Sequence, residues 1–400
     1  MAVALITLVS VTSCTYKEGF EATNVRIQLS EPIGEVEAVL TNNLGNSFTT
    51  TIGESGYGEI SLPAGIYTAA VSKTSDDGYL RKIYNGSKSD IIISGESTEI
   101  LIPVTSSSVL LNNPILIKEI YVGGCQKDDG SGKFSYDKSL ILYNNSSEPA
   151  SLDNVAIGIV EPYNAEANAH NFLNSGVLDY ENEDWIPAIN GIWYFQQGNF
   201  IGAYSELVVN IHGAINNKLT YSNSVDYANP DYFCMYDVEA TSRDGGKYNN
   251  TAYYPSPSEV IPTSHYLKAV KYGQGSAWPI SMTSPAILLF KTQEIDVEDF
   301  AANNENIVYP KNNQGNIIWA CLKLPRAWVL DAVEVYNEEK LADSKKRLTS
   351  DLDNGYVLTT SGFSHSVVRK IEKTENGHDI YLDTNNSSND FYEADRFSLL

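Results

Sequence analysis

Val25, Ile27 and Leu29 alternate with Arg26 and Gln28, the period-two mark of a half-buried strand. Val36, Ala38 and Leu40 predict a second strand. In the segment GYGEISLPAGIY (56–67), Ile60 and Leu62 share one face before Pro63-Ala64-Gly65 forces a tight turn. A strand resumes over Ile66 to Val71, and Asp76-Asp77-Gly78 marks a hairpin. Ile91 to Ile93 and Ile100 to Val104 close a small antiparallel sandwich over residues 24–104. Residues 105–113, rich in Ser and Asn at both ends, read as a linker, although Val109-Leu110-Leu111 also fits a short strand. The apolar runs then lengthen. Strands are expected at 114–121 and 139–143, with a polar loop over 123–135. Asn144-Asn145 and Glu148-Pro149 make a corner between 139–143 and a strand near 150–157. Leu207 to Ile211, Ala286 to Phe290 and Ile317 to Leu322 read as buried strands between long polar, aromatic insertions, notably 212–258. Leu330 to Leu348 is the one stretch that predicts a helix, with Lys345-Lys346-Arg347 suited to its C-terminal end. The expected fold is all-β: two tandem β-sandwiches, a small one at 24–104 and a large, insertion-rich one at 114–400.

Composition narrows the function classes. Apolar residues make up 42% and charged ones 19%, enough to bury a sizeable core. Lys and Arg number 27 against 50 Asp and Glu, a net charge of −23. That balance argues against holding a nucleic-acid backbone, which needs a basic face. It equally disfavours charge-driven docking on anionic lipid.

The first thirteen residues, MAVALITLVSVTS, are an apolar run ending in small residues, followed by Cys14. That is the form of a signal peptide. Val11-Thr12-Ser13-Cys14 resembles a bacterial lipobox, which implies lipid attachment at the Cys14 sulfur and cleavage just before it. Residues 14–23 would then be a polar tether. The run is too short to span a bilayer, and no other stretch reaches about 18 apolar residues. Cys125, Cys234 and Cys321 are far apart and show no metal-ligand spacing. They permit one disulfide at most with one thiol left over, and buried structural roles suit them best.

The LPAGIY hairpin (62–67) and its flanking strands resemble the carboxypeptidase-regulatory-like, transthyretin-like β-sandwich. The order from Lys118 to Ile157, with LYNNSSEP at 142–149, is similar to the lamin-tail type of Ig-like sandwich. Three features together resemble one family. They are the lipobox ahead of a regulatory-like sandwich, the KEIYVGGC start (118–125), and the end formed by SVVRK (366–370) and YLDTNNSSNDF (381–391). The family is that of Bacteroidota surface lipoproteins known as domain-of-unknown-function family 4876. It carries no agreed catalytic residues. The resemblance implies a lipid-anchored accessory protein at the outer membrane. Its partner would be a β-barrel, often a TonB-dependent nutrient transporter, alone or with other surface lipoproteins, or else assembly machinery.

No catalytic motif emerges. HExxH and GxSxG are absent. Gly130-Ser131-Gly132-Lys133 fails the phosphate-loop pattern because the upstream glycine is misplaced and Phe134 stands where Ser or Thr belongs. None of the five histidines is spaced to pair locally. Fifty carboxylates leave a surface hydrolase open, without a spacing to support it. Asp383, Asn385 and Asp390 alternate oxygens in a way that could wrap Ca²⁺, or equally an Asx-turn network. Trp185, Trp193, Tyr194, Tyr232, Tyr253, Tyr254 and Trp278 fall in the loop-rich middle. They suit core packing, a protein interface, or a platform for a glycan or peptide. The expectation is a non-enzymatic protein without a cofactor, displayed on the cell surface.

Overall fold

The computed structural model describes residues 22–77, 80–94, 97–110, 114–160, 172–273 and 275–400. The signal segment 1–13, Cys14, most of the tether and Gly78 lie outside them. The chain divides into two compact units, the first comprising residues up to 75 and 82–106, the second 76–81 and 107–400.

The first unit sets a three-stranded sheet against a five-stranded one. Strand Thr23–Leu29 lies at the centre of the smaller sheet, antiparallel to Tyr57–Leu62 and parallel to Thr98–Ile102. Its odd positions, Val25, Ile27 and Leu29, are buried and its even ones face water. In the larger sheet Val36–Asn42 pairs with Ser47–Ile52 and with Gly65–Asp77. Tyr67 is buried, and its hydroxyl donates to the Pro63 carbonyl at 2.9 Å, closing the turn that the Pro-Ala-Gly run starts. Residues 105–113 are not a linker throughout. Val104–Leu110 is an edge strand of the five-stranded sheet.

The second unit is organised by one twelve-stranded sheet. Its order is Val357–Thr359, Val329–Asn337, Ala286–Lys291, Val155–Ile159, Gly191–Tyr194, Tyr266–Lys271, Phe233–Met235, Glu206–His212, Lys138–Asn144, Ile115–Tyr121, Ser366–Arg369, Phe391–Ala394. The sheet folds back until its two halves meet. The Ile117 N–H donates to Asp331 at 2.6 Å, and Thr359 and Thr360 bond Glu393 across the two end strands. Between the halves lies the main core, including Leu140, Leu142, Ile157, Trp193, Ile287, Leu289 and Val333. The outer face is covered too: Tyr121, Ile141 and Val208 pack with Val225, Tyr227 and Phe397. Lys138–Asn144, Val155–Ile159 and Trp185–Ile189 are buried at every position. Strands covered on both faces lose the alternation that marks one-sided strands.

That double burial explains the overturned helix. Val329–Asn337 is a strand, and Glu338–Asp343 is a short 3-10 helix. Apolar residues on both faces of a strand mimic helical spacing, and the acids Asp331 and Glu334 at buried positions reinforced that pattern. Ile317–Trp319 is likewise 3-10, and the strand begins only at Cys321. Among the described residues no helix is long and apolar enough to cross a membrane.

Candidate functional site

The aromatic residues picked out by the sequence do not form a platform. Trp193, Tyr254 and Trp278 are core residues, and Trp185 is buried against Tyr180. Trp193 stacks on Tyr248 with ring centroids 5.0 Å apart. Tyr194 and Tyr232 are half-buried. Interior burial of rings this large removes more apolar area from water than any exposed platform would.

Tyr253 leads to a cleft that the sequence did not reveal. Its ring meets Tyr136 edge-on at 4.7 Å. Tyr136 lines a depression of about 350 Å³ together with Phe134, Tyr221, Asn217, Thr220 and Lys127. Three loops build it: 127–136, 213–221 and 251–255. Phe134 packs between Tyr136 (5.6 Å) and Tyr221 (4.8 Å). The rim is fixed by Asp128, whose carboxylate accepts from the Ser222 backbone N–H (2.9 Å) and hydroxyl (3.0 Å). The floor is fixed by Gly213, whose φ is +76° and whose N–H donates to the Tyr253 carbonyl. A Cβ at Gly213 would lie 2.9 Å from Asn217 Nδ2, which donates to the Gly213 carbonyl. The volume is of the size that takes a small ligand, and the aromatic lining with a few polar groups is the usual composition. A Phe-Ser-Tyr alternation after a glycine-rich turn was the available sequence signal.

Gly130 to Lys133 is the turn of a short hairpin, Cys125–Gln126 with Lys133–Phe134. Lys133 bonds the Ser361 carbonyl and lies 5.8 Å over the Phe363 ring, away from the loop's N–H groups. It does not form a phosphate cradle.

The calcium candidate is organised around an arginine. Asp383 and Asp390 do come together, but the buried Arg369 guanidinium lies 3.2 Å from Asp383 and 3.9 Å from Asp390. Asp390 also accepts from the Thr384 N–H (2.9 Å) and hydroxyl (2.7 Å). Asn385 takes a left-handed turn conformation, and its carbonyl accepts from Asn354. The Asx-turn network accounts for these oxygens. Among the described residues no cluster of His, Cys, Asp and Glu could hold a metal.

One constellation approaches catalytic form. His365 Nδ1 lies 3.0 Å from Glu393 and 3.2 Å from Thr360 Oγ1. Burial pushes the Glu393 carboxyl up, but bonds from Thr359, Thr360 and His365 outweigh it and hold it below the ordinary range. Both partners share one nitrogen, whereas a relay needs acid and nucleophile on opposite nitrogens. The far edge of the imidazole packs on Gly362, where a Cβ would lie 2.5 Å from Nε2. Cys125, Cys234 and Cys321 are all buried.

The geometry defines an all-β protein with a loop-built cleft on its large unit. Residues 205–398 match the family described as "Protein of unknown function (DUF4876)". The crystal structure of a DUF4876 family protein from Bacteroides thetaiotaomicron is similar in fold. Its TM-score is 0.56 at 19% identity, covering 94% of this chain and 96% of that one. No curated protein matches. The family resemblance is borne out over residues 205–398, which hold the SVVRK and YLDTNNSSNDF motifs, and it brings no catalytic residue with it.

Proposed function

We propose that the chain is a non-catalytic, lipid-anchored binding protein. Cys14 holds it at the outer membrane, and the cleft of its large unit serves a ligand or partner beside a β-barrel, such as a nutrient transporter. The cleft carries this reading. Its lining offers rings, amides and hydroxyls for contact, and includes no His, Cys, Asp or Glu to act as a general base. The lipobox-like VTSC and the family's surface-lipoprotein context support the anchor and the membrane setting.

The test is a pull-down of the chromosomally tagged protein from gently solubilised outer membrane, read by mass spectrometry. A stoichiometric β-barrel partner is expected. Recovery of the chain alone sinks the accessory role and leaves a stand-alone surface binder for glycan or peptide. Turnover in polysaccharide or peptide hydrolysis screens sinks the non-catalytic reading.

A further inference from the structure

Lys138 and His212 face each other on paired strands of the large sheet. Both are buried, as are Trp193 and Trp278. Lys138 Nζ has one long hydrogen bond, 3.4 Å to the Ile280 carbonyl, and forms no ion pair among the described residues. Lys271, also buried, is by contrast satisfied at 2.6 Å by the Gly273 carbonyl. Neither nitrogen of His212 has a partner, and neither do the indole N–H groups of Trp193 and Trp278.

Tyr254 and Ile280 link these groups. Tyr254 lies 5.4 Å from the His212 ring and 5.8 Å from the Trp193 ring, and its hydroxyl accepts from the Trp278 backbone N–H at 3.0 Å. Ile280, the Lys138 acceptor, is tied back to Trp278 through its N–H at 3.0 Å. The set is rich in donors: an ammonium, two indole N–H groups and an imidazole that supplies another. A buried ammonium without a counter-charge is costly. Burial pushes the Lys138 amine down to about 8, which leaves it largely charged at neutral pH. The neighbouring carboxylate, Asp137, packs with Tyr121, whose hydroxyl donates to it at 3.0 Å.

We propose that Lys138, His212, Trp193 and Trp278 form a buried site for a small inorganic anion of the halide class. The anion balances the Lys138 charge and accepts from the orphan N–H groups, and a dry interior site favours a weakly hydrated ion. The site is independent of the cleft.

Two measurements on the purified chain test it. The first is anomalous diffraction from crystals grown in bromide. A peak within hydrogen-bonding distance of Lys138 Nζ and an indole N–H is expected, and ordered water alone at that position overturns the proposal. The second is thermal unfolding in bromide against gluconate at matched ionic strength. A saturable rise of roughly 5 °C in bromide is expected. In Lys138→Met that rise should vanish while the protein stays folded. Equal melting temperatures in the two salts, or a bromide response that survives Lys138→Met, overturn it.

Discussion

Glu334 and Arg347 are both fully buried, and their pairing gives the sharpest test of how the large unit is held. Glu334 Oε1 accepts from the Arg347 backbone N–H and from its Nε, each at 2.9 Å. The other oxygen accepts from the Leu348 N–H at 3.2 Å and from Lys346. The guanidinium also donates to the Ser284 carbonyl at 2.9 Å, bridging to a neighbouring segment. Burial acts against the Glu334 charge, but Lys346 and Arg347 outweigh it and hold the carboxyl below its ordinary value. Glu334→Gln keeps the shape and removes the charge, leaving Arg347 buried without a counter-ion. Breaking such a pair costs about 3–5 kcal/mol. For a unit of this size that is roughly 6–20 °C in melting temperature. Differential scanning calorimetry reads it, with Glu339→Gln as a control of equal charge change whose effect should stay within about 0.5 kcal/mol. Adding Arg347→Met should recover much of the loss, because an apolar substitute for a buried pair is close to neutral. A Glu334→Gln loss under about 1 kcal/mol would refute the reasoning and mean that the carbonyls alone hold Arg347. The depressed carboxyl also fixes the sign with pH. The pair's contribution is complete above the ordinary value of 4.5 and drains away as pH falls below it.

Asp137 gives the opposite sign. Burial raises its carboxyl from 3.8 to about 6, so its stabilising contribution is complete below 3.8 and is lost as pH rises through 6. Asp137→Asn should flatten a swing of about 3 kcal/mol in that window, read by urea unfolding at stepped pH. Gly213→Ala should cost about 1–2 kcal/mol for its left-handed backbone, with added displacement of Asn217 at the cleft floor visible as altered ligand contact. The thiols of Cys125 and Cys234 are pushed up to about 12 by burial. None of the three described cysteines should react with a thiol reagent until the chain is unfolded.

How legible each unit was follows from how many faces its strands bury. In the first unit water wets one face, and the alternation of Val25, Ile27 and Leu29 could be read directly. In the second, strands such as Lys138–Asn144 and Val329–Asn337 are covered on both sides, so periodicity marks apolar runs but not their conformation. The cleft was hidden for a related reason. Tyr136, Asn217 and Tyr221 come together only because Asp128 ties its loop to Ser222, 94 residues away, and no local pattern encodes that closure. Trp193 and Trp278 were conspicuous by size, and size is what placed them in the core.

The motifs that carried the family resemblance turn out to bond one another. Glu119, in the KEIYVGGC start, accepts from Ser366 at 2.6 Å and from the Ser398 N–H at 3.1 Å. Asn145 exchanges two hydrogen bonds with the Tyr381 backbone, at 3.0 and 2.9 Å. Arg369 donates from Nε to the Ile117 carbonyl at 2.8 Å, and its Nη2 pairs with Asp331. Each bond joins residues more than 200 positions apart or links the two halves of the folded sheet, and each is buried or partly buried. Losing one would leave an unpaired charge or backbone group, so these residue types follow from closing the sheet on itself. The resemblance therefore transfers architecture. The cleft-lining residues Phe134, Tyr136, Asn217 and Tyr221 fall between the motifs and take no part in this clamp. Substituting the half-buried Tyr136 and Tyr221 should change what the protein binds while leaving its melting temperature close to that of the parent, which is the separation a binding surface mounted on a fixed frame requires.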